Sequence, residues 1–438
     1  MKKLFLMAAC IAVGSFVSCS NDDVVTPPAG GGEQDKAPIL FSVGGANIDV
    51  TTRGTGAVGD LKAEDGGNNI WRGEKLNVYM FDKSDFSIAK DVYGDIFNNA
   101  EITAPTADAA SNVGYAEYGD PKYYPMSGNY SFFAYRADDA AKDGATPALN
   151  AEGDKYVLPV KLDGTQDLMV SKADMSDAQR LTLEQLGYDA TRYYSAYSAR
   201  KKVGYNGQED PNGVQPHFIF QHLLSRLAFF VQPSSEAVSD QAIADDGTYT
   251  GVTIDSVKIV NAKTEANLIV AWDGTTAPTD YLTEIDVEDV ITLKERDALE
   301  TTETGALPLV TLTPIQPKWD VVENKAITSR IGESMMLIPQ ETYDLEIYIS
   351  QTPRAGGEKY TSVYPQTLRV PSGANFEAGK QYNITFTVYG VEKIVITLEL
   401  APWEKGEDIA VDNDKIDEDD NVAGGDDDDD DTDDNILP

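Results

Sequence analysis

The sequence predicts an all-β chain built from antiparallel β-sandwiches. Its apolar residues fall mostly in short runs rich in Val, Ile, Tyr, Phe and Thr, with Gly, Pro, Asn or Asp between the runs. Helical periodicity is confined to residues 181–186, which predict one or two helical turns. Short antiparallel strands spaced by turns are typical of sandwiches, and one sandwich of about 100 residues cannot absorb this chain. Two sandwich domains are therefore expected.

The predicted strands are spread along the whole body of the chain. They cover residues 39–43, 76–81, 130–135, 156–162, 167–170, 218–231, 254–260, 266–272, 335–338, 345–349, 382–389 and 394–400. Residues 188–216 are polar and rich in tyrosine and glycine, a composition that suits a domain boundary near residue 214. The expected organisation is one sandwich over residues 54–214 and a second over residues 215–411.

The first 53 residues predict an export signal followed by a propeptide. Two lysines precede an apolar run at residues 4–17, which is too short to span a membrane and is typical of a secretory signal over residues 1–18. A small residue directly before Cys19 indicates the cleavage site of a bacterial lipoprotein, so Cys19 is expected to become the acylated N-terminus. A rival site at Cys10 has too few apolar residues before it. Both cysteines lie in this leader, so no intrachain disulfide is expected in the mature protein.

The charge of the chain excludes two functions. Its formal net charge is −38, and a general binder of nucleic acid or of anionic membranes needs a basic face. Residues 412–438 hold 14 acidic residues against one lysine, or −13. Such a block repels itself, so a disordered acidic tail is expected there, either as a solubilising or as a partner-binding appendage.

No motif predicts a catalytic, cofactor or metal site. The sequence has no G-x-S-x-G element, no P-loop and no dinucleotide fingerprint. Its two histidines, His217 and His222, are five apart in a strand-like run, which puts them on opposite faces and argues against a shared metal. Residues 412–417 lack the glycine and one oxygen ligand of an EF-hand loop. We therefore expect neither an enzyme nor a bound cofactor.

Several stretches together resemble the fimbrillin-like proteins, the type V pilins of Bacteroidales in the FimA/Mfa-like superfamily. In chain order these stretches are the lipoprotein signal at Cys19, residues 39–41 leading to 52–54, and residues 71–80, 130–135, 167–170, 220–227, 336–340, 376–382 and 403. The polar, acidic run at residues 20–23 resembles the signal that exports Bacteroidales lipoproteins to the outer face of the outer membrane.

The resemblance implies two transthyretin-like β-sandwich domains and an N-terminal strand that occupies a groove in the precursor. A trypsin-like, arginine-specific protease would cut between Arg53 and Gly54 and remove a strand that includes residues 39–50. The groove would then accept a donor strand from another pilin subunit. By this resemblance the chain is exported through the periplasm, held in the outer membrane by its lipid until maturation, and assembled into a fimbrium on the cell surface.

The sequence leaves the position of the chain in a fimbrium open. The region beyond Val411 is acidic and too sparse in apolar residues to fill a groove well. Either the donor strand lies earlier, within residues 394–411, or the chain is a non-donating tip or accessory subunit. The alternative function is a monomeric surface lipoprotein, an adhesin that binds glycan or host protein, with the Tyr-rich residues 188–205 as a stacking surface.

Overall fold

A computed structural model of the chain describes residues 36–43, 73–82, 96–104, 115–188, 193–273, 277–297, 309–352, 358–370, 372–391 and 393–401. The predicted signal at residues 1–18 and the predicted acidic tail at residues 412–438 lie outside these ranges. Within the ranges the structure is dominated by strands, and none of the helices there is long and apolar enough to cross a membrane.

The strands are numbered in chain order. They are β1 (Ser42–Val43), β2 (Lys75–Asp82), β3 (Ala100–Thr103), β4 (Tyr130–Arg136), β5 (Ala148–Leu149), β6 (Lys155–Lys161), β7 (Met169–Lys172), β8 (His217–Phe218), β9 (Gln221–His222), β10 (Ser225–Pro233), β11 (Val252–Trp272), β12 (Leu282–Thr292), β13 (Lys294–Arg296), β14 (Leu309–Thr311), β15 (Lys318–Asp320), β16 (Lys325–Ile327), β17 (Ser329–Leu337), β18 (Thr342–Gln351), β19 (Tyr360–Arg369), β20 (Gln381–Gly390) and β21 (Lys393–Ala401). The α-helices are α1 (Asp177–Gln185) and α2 (Ala196–Ala199).

Three larger sheets organise the fold. The first has the strand order β3-β2-β4-β7-β9, the second β19-β18-β11-β6-β5, and the third β17-β10-β20-β21. Most strand pairs are antiparallel, whereas β1 with β8 and β10 with β20 are parallel. The predicted all-β sandwich class is confirmed.

The 21-residue strand β11 runs through both halves of the described chain. Its first part, residues 252–259, pairs with β18, and its last part, residues 265–272, pairs with β6. The sequence predicts two strands here because the apolar alternation breaks between them. The structure keeps one strand and accommodates the break as register shifts against β12. At about 3.3 Å per residue, β11 spans about 70 Å, so its two ends are far apart.

Three hydrophobic clusters lie between these sheets. One fills the C-terminal sandwich around Phe229 and Phe386. A second lies on one face of the first sheet and includes Phe41 and Phe132. The third lies between the other face of that sheet and the β6–β11 pair, around Trp272. Members of the third cluster come from both sides of residue 214. The domain boundary expected near residue 214 therefore stays a prediction.

Two long strands were not predicted from the sequence, and both are poorly buried. Strand β12 is rich in Asp and Glu and exposes most of its side chains. Strand β19 forms one edge of the second sheet and has Pro365 in its middle. Because few side chains of these two strands are buried, the strands lack the apolar alternation from which a strand is predicted. The helical turns predicted at residues 181–186 correspond to α1, which begins with a capping box at Ser176.

Candidate functional site, a groove filled by the N-terminal segment

Residues 37–43 fill a groove on one face of the first sheet. The side chains of Ala37, Ile39, Phe41 and Val43 point into the second hydrophobic cluster and are almost completely buried. A period of two residues is the period of a β-strand, in which alternate side chains point to opposite faces. The strand predicted at residues 39–43 is confirmed in part, since only Ser42–Val43 form a regular strand, β1, while burial alternates along residues 37–43.

One wall of the groove is the stretch at residues 115–124, which runs antiparallel to the N-terminal segment. The Ile39 N–H donates to the Lys122 carbonyl at 2.9 Å, and the Ala116 N–H donates to the Phe41 carbonyl at 2.8 Å. The Tyr118 hydroxyl donates to the Ile39 carbonyl. On this side, the backbone groups of the N-terminal segment are therefore hydrogen-bonded to residues 115–124.

The opposite wall is formed by residues 215–218, which run parallel to the segment. The Ser42 N–H donates to the Pro216 carbonyl at 3.0 Å. At residues 38–40, N-terminal to this backbone ladder, the side-chain amide of Gln215 pairs with the segment instead of a backbone group. Its Oε1 accepts from the Leu40 N–H at 3.0 Å, and its Nε2 donates to the Pro38 carbonyl at 3.1 Å. The segment is thus hydrogen-bonded on both sides.

Phe41 is the largest side chain that the segment buries. Its ring lies 4.8 Å from the Phe97 ring and 5.6 Å from each of the Phe132 and Phe218 rings, measured between centroids. These partners come from three separate parts of the chain. Tilted and edge-on aromatic contacts of this kind add to the apolar burial, so Phe41 is the main anchor of the segment.

His217 contacts the segment on the parallel wall. Its Nδ1 lies 2.8 Å from Ser42 Oγ, and the Tyr205 ring covers the imidazole with 3.8 Å between ring centroids. Burial lowers the pKa of His217 to about 4 because the imidazolium would lose its hydration without gaining a counter-ion. His217 is therefore neutral near pH 7 while the segment occupies the groove.

The second histidine belongs to a different cluster. His222 Nδ1 lies 2.9 Å from Asp167 Oδ1 in the region between the two halves of the chain, where Arg136 Nε also bonds Asp138 Oδ1 at 2.7 Å. The two histidines therefore have separate partners. Sequence reasoning assigned no role at the groove to His217 or Gln215, since these contacts join residues about 175 positions apart and no local pattern encodes them.

The predicted processing residues lie outside the described residues. Cys19 precedes the first described residue, and Arg53 and Gly54 lie in the stretch between residues 43 and 73. Their roles in lipidation and proteolytic maturation stay predictions. The described end of the segment at Val43 is ten residues before Arg53.

The C-terminal strand β21 forms an edge of the third sheet. Ile396 and Leu398 are buried in the core of the C-terminal sandwich, and Ile394 and Leu400 pack against that core. Along its length β21 pairs antiparallel with β20. Residues 394–400, the first part of the predicted donor stretch 394–411, are therefore held by their own chain.

Most tyrosines of residues 188–205 use their rings inside the protein. Tyr188 stacks on Tyr197 with 4.9 Å between ring centroids, Tyr205 covers His217, and Tyr194 is completely buried. Tyr197 keeps an exposed surface. The stacking surface predicted for this stretch is thus largely occupied from within.

The fold and the groove define a class of protein, a β-sandwich protein whose own N-terminal segment completes one of its cores. A family model described as fimbrillin-like matches residues 62–403. The chain therefore belongs to the fimbrillin-like family, and the resemblance predicted from the sequence is confirmed. Membership of this family indicates a fimbrial protein of the cell surface.

The chain is also similar to solved structures. A putative cell adhesion protein from Bacteroides uniformis is 16% identical, with a TM-score of 0.42, over 85% of this chain and 100% of that one. The fimbrial anchor protein Mfa2 from Porphyromonas gingivalis is 11% identical, with a TM-score of 0.31, over 84% of this chain and 98% of that one. A putative adhesin from Bacteroides thetaiotaomicron is 9% identical, with a TM-score of 0.34, over 85% and 97%. No curated protein matches the chain.

Proposed function

We propose that the chain is a fimbrial subunit, exported as a lipoprotein acylated at Cys19, matured by cleavage after Arg53 and assembled by strand exchange. The supporting observation is the composition of the second cluster. Residues 37–43 supply four of its buried side chains, whereas all its other members come from residue 76 onward. A cut between Arg53 and Gly54 would therefore leave residues 37–43 held in the groove by non-covalent contacts alone.

The contacts of the segment support its replacement by another strand. Burying a side chain such as Ile39, Phe41 or Val43 stabilises by about 1.5–3 kcal/mol. An empty groove would expose the rings around Phe41 and leave the N–H and carbonyl groups of both walls without their strand partner. Such a groove accepts an extended strand with apolar residues at alternate positions, because the main chain supplies the hydrogen bonds and the pockets select the side chains.

Strand β21 is our candidate for the donor. Its apolar residues Ile394, Ile396, Leu398 and Leu400 repeat every second position, as Ala37, Ile39, Phe41 and Val43 do in the segment. An edge strand breaks one ladder when it leaves its sheet, whereas a central strand breaks two. The turn that joins β20 to β21 would act as the hinge.

The maturation step is tested by the N-terminus and oligomeric state of the protein taken from the cell surface. We expect a chain that begins at Gly54, carries no lipid and forms SDS-resistant ladders. Arg53→Ala should retain the acylated N-terminus and abolish the ladders, while Arg72→Ala is the matched control and should behave as wild type. A wild-type chain that keeps acylated Cys19 and stays monomeric would refute the proposal and support the alternative, a surface adhesin that binds glycan or host protein.

The donor is tested by fastening β21 to its neighbour. Thr385 on β20 and Thr397 on β21 are directly opposite in the register, so Thr385→Cys with Thr397→Cys allows a disulfide between them. The oxidised double variant should not form ladders, and reduction should restore them. Each single variant is a control for the cysteine itself. Ladder formation by the oxidised double variant would show that another segment is the donor, without affecting the test at Arg53.

A further inference from the structure

A second groove lies on the second sheet, where β6, β11 and β12 run side by side, and its volume is about 490 Å³. Leu158 and Leu268 are opposite each other in the register, and both are buried in the third hydrophobic cluster. Because successive residues of a strand point to opposite faces, their neighbours Val157 and Asn267 point away from that cluster and line the groove. Ligand pockets in proteins have volumes of about 300–1,000 Å³, so this sheet groove is large enough for a small molecule.

A proline in β6 explains why the sheet groove has a side wall. Strand β5 pairs with the start of β6, and near the other end of β6 the Lys161 N–H donates to the Ala140 carbonyl at 2.8 Å. Between these two places, Pro159 has no N–H to donate to a neighbouring strand. Residues 142–147 therefore leave the edge of β6, with a 3₁₀ turn at Lys142–Gly144, and form the wall.

The wall is fastened at both of its ends. At its start, Lys142 Nζ donates to Glu265 Oε2 of β11 at 2.6 Å. Just after the wall, Asn150 Oδ1 closes the β5–β6 turn by accepting from the N–H groups of Asp154 at 3.0 Å and Lys155 at 3.1 Å. The sheet groove is therefore already formed without a ligand, which lowers the entropy cost of binding.

Asn267 places a side-chain amide in the middle of an apolar floor. In the register, Asn267 lies between Pro159 of β6 and Thr283 of β12, while Val157 and Ile269 form the next row. The Asn267 side chain is half-buried and has no hydrogen-bond partner within the described ranges. Both its donor and its acceptor are therefore available to a ligand.

The charge of the sheet groove favours a neutral ligand. Of the described residues that line it, Lys155 is the only charged one, and its Nζ lies 3.8 Å from Asp154 Oδ2. The cation therefore already has a carboxylate beside it. An anionic ligand would also be repelled by a chain with a net charge of −38.

We propose that the sheet groove binds a neutral mono- or disaccharide unit of a surface glycan. The C–H face of a sugar ring would pack on Val157, Pro159 and Ile269. Adjacent ring hydroxyls, each of them a donor and an acceptor, would pair with the two ends of the Asn267 amide. This inference goes beyond the proposed function, because it gives the chain a ligand of its own whether or not strands are exchanged.

Two other kinds of ligand fit the sheet groove less well. A purely apolar molecule would cover the Asn267 amide without giving it a partner, which is unfavourable. An extended peptide binds by adding to an open strand edge. In the sheet groove, β11 is already hydrogen-bonded to β6 on one side and to β12 on the other.

Saturation-transfer difference NMR on the full chain with Cys19→Ser, which cannot be acylated, tests for a ligand. The neutral probes are the methyl glycosides of glucose, galactose, mannose and N-acetylglucosamine, together with lactose and cellobiose. The methyl glycoside of N-acetylneuraminic acid is the anionic comparison. We expect at least one neutral probe to bind with a Kd of about 1 mM or lower by calorimetry, and the anionic probe to bind at least about tenfold more weakly. Saturation transfer to none of the neutral probes, or tighter binding of the anionic probe, would overturn the proposal.

Two substitutions test whether the sugar lies in the sheet groove. Asn267→Leu keeps the size of the side chain, removes the amide and should weaken binding at least about tenfold. Ala148→Arg places a long side chain on an exposed residue of the groove and should abolish binding. Asn383→Leu, on the half-buried outer side of β20, is the matched control and should bind as wild type. Circular dichroism checks that each variant is folded.

Binding that survives both Asn267→Leu and Ala148→Arg would place the sugar elsewhere and refute the assignment, as would an equal loss from Asn383→Leu. Arg53→Ala should leave the affinity unchanged, because the sheet groove shares no residue with the second hydrophobic cluster. Failure of maturation or of strand exchange therefore leaves this result intact, and failure to bind a sugar leaves the proposed function intact.

Discussion

Replacing His217 by Asn should remove part of the pH dependence of the protein's stability. In the wild-type protein the His217 Nδ1 lies 2.8 Å from Ser42 Oγ, on the strand that fills the groove. Burial lowers the pKa of His217 to about 4. An asparagine amide can keep a hydrogen bond to Ser42, but it cannot be protonated.

The sign and size of the effect follow from the two pKa values of His217. An exposed histidine has a pKa of about 6.5, so the unfolded chain binds a proton more readily than the folded chain. His217 therefore contributes its full stability above pH 6.5, and this contribution is lost as the pH falls toward 4. At about 1.4 kcal/mol per pKa unit, the loss between pH 7 and pH 5 is about 2 kcal/mol.

Urea unfolding at pH 7 and at pH 5 measures this contribution. Other groups titrate in both proteins, so the quantity of interest is the change in unfolding free energy of the wild type minus that of His217→Asn. We expect this difference to be about 2 kcal/mol. Far-UV circular dichroism at pH 7 checks that the variant is folded. If the wild type and a folded variant lose the same stability on acidification, burial of a neutral His217 is not coupled to folding.

Three further substitutions test the groove and the cores by urea unfolding at pH 7. Phe41→Ala should cost about 3–5 kcal/mol because it empties the site between three aromatic rings, and a loss below about 1 kcal/mol would mean that the segment does not anchor there. Gly213→Ala should lower the unfolding free energy more than Gly247→Ala does. Both glycines have positive φ, but of the two only Gly213 would place an added Cβ against a backbone carbonyl, that of Ala199. Equal losses for the two variants would contradict this. Arg136→Ala should cost about 3–5 kcal/mol because it removes the cation that lies 4.0 Å from the buried Asp167 carboxylate and pairs with Asp138. Breaking the exposed ion pair between Lys75 and Glu101 by Lys75→Ala should cost about 0–1 kcal/mol, and similar losses for the two variants would refute the buried pairing.

Local sequence pattern was sufficient for the fold class and for the N-terminal strand. The alternation at Ile39, Phe41 and Val43 follows from the two-residue period of a strand, and the same period gives β18 and β20. Strand β4 is buried on both faces and is predicted instead by its short aromatic run. The pattern was insufficient at β12, whose acidic side chains face solvent, and at β11, where register shifts join what the sequence divides. Local periodicity indicates which residues are buried. It does not predict a strand whose side chains are exposed, and it does not predict where a strand changes register.

The sequence by itself determined that the chain is an all-β member of the fimbrillin-like family with an apolar alternating segment near its N-terminus. The tertiary structure decided what that segment touches: the stretch at residues 115–124 on one side and residues 215–218 on the other. These relations join residues that are about 75 to 180 positions apart. They depend on the path of the chain between those residues, which no local pattern records.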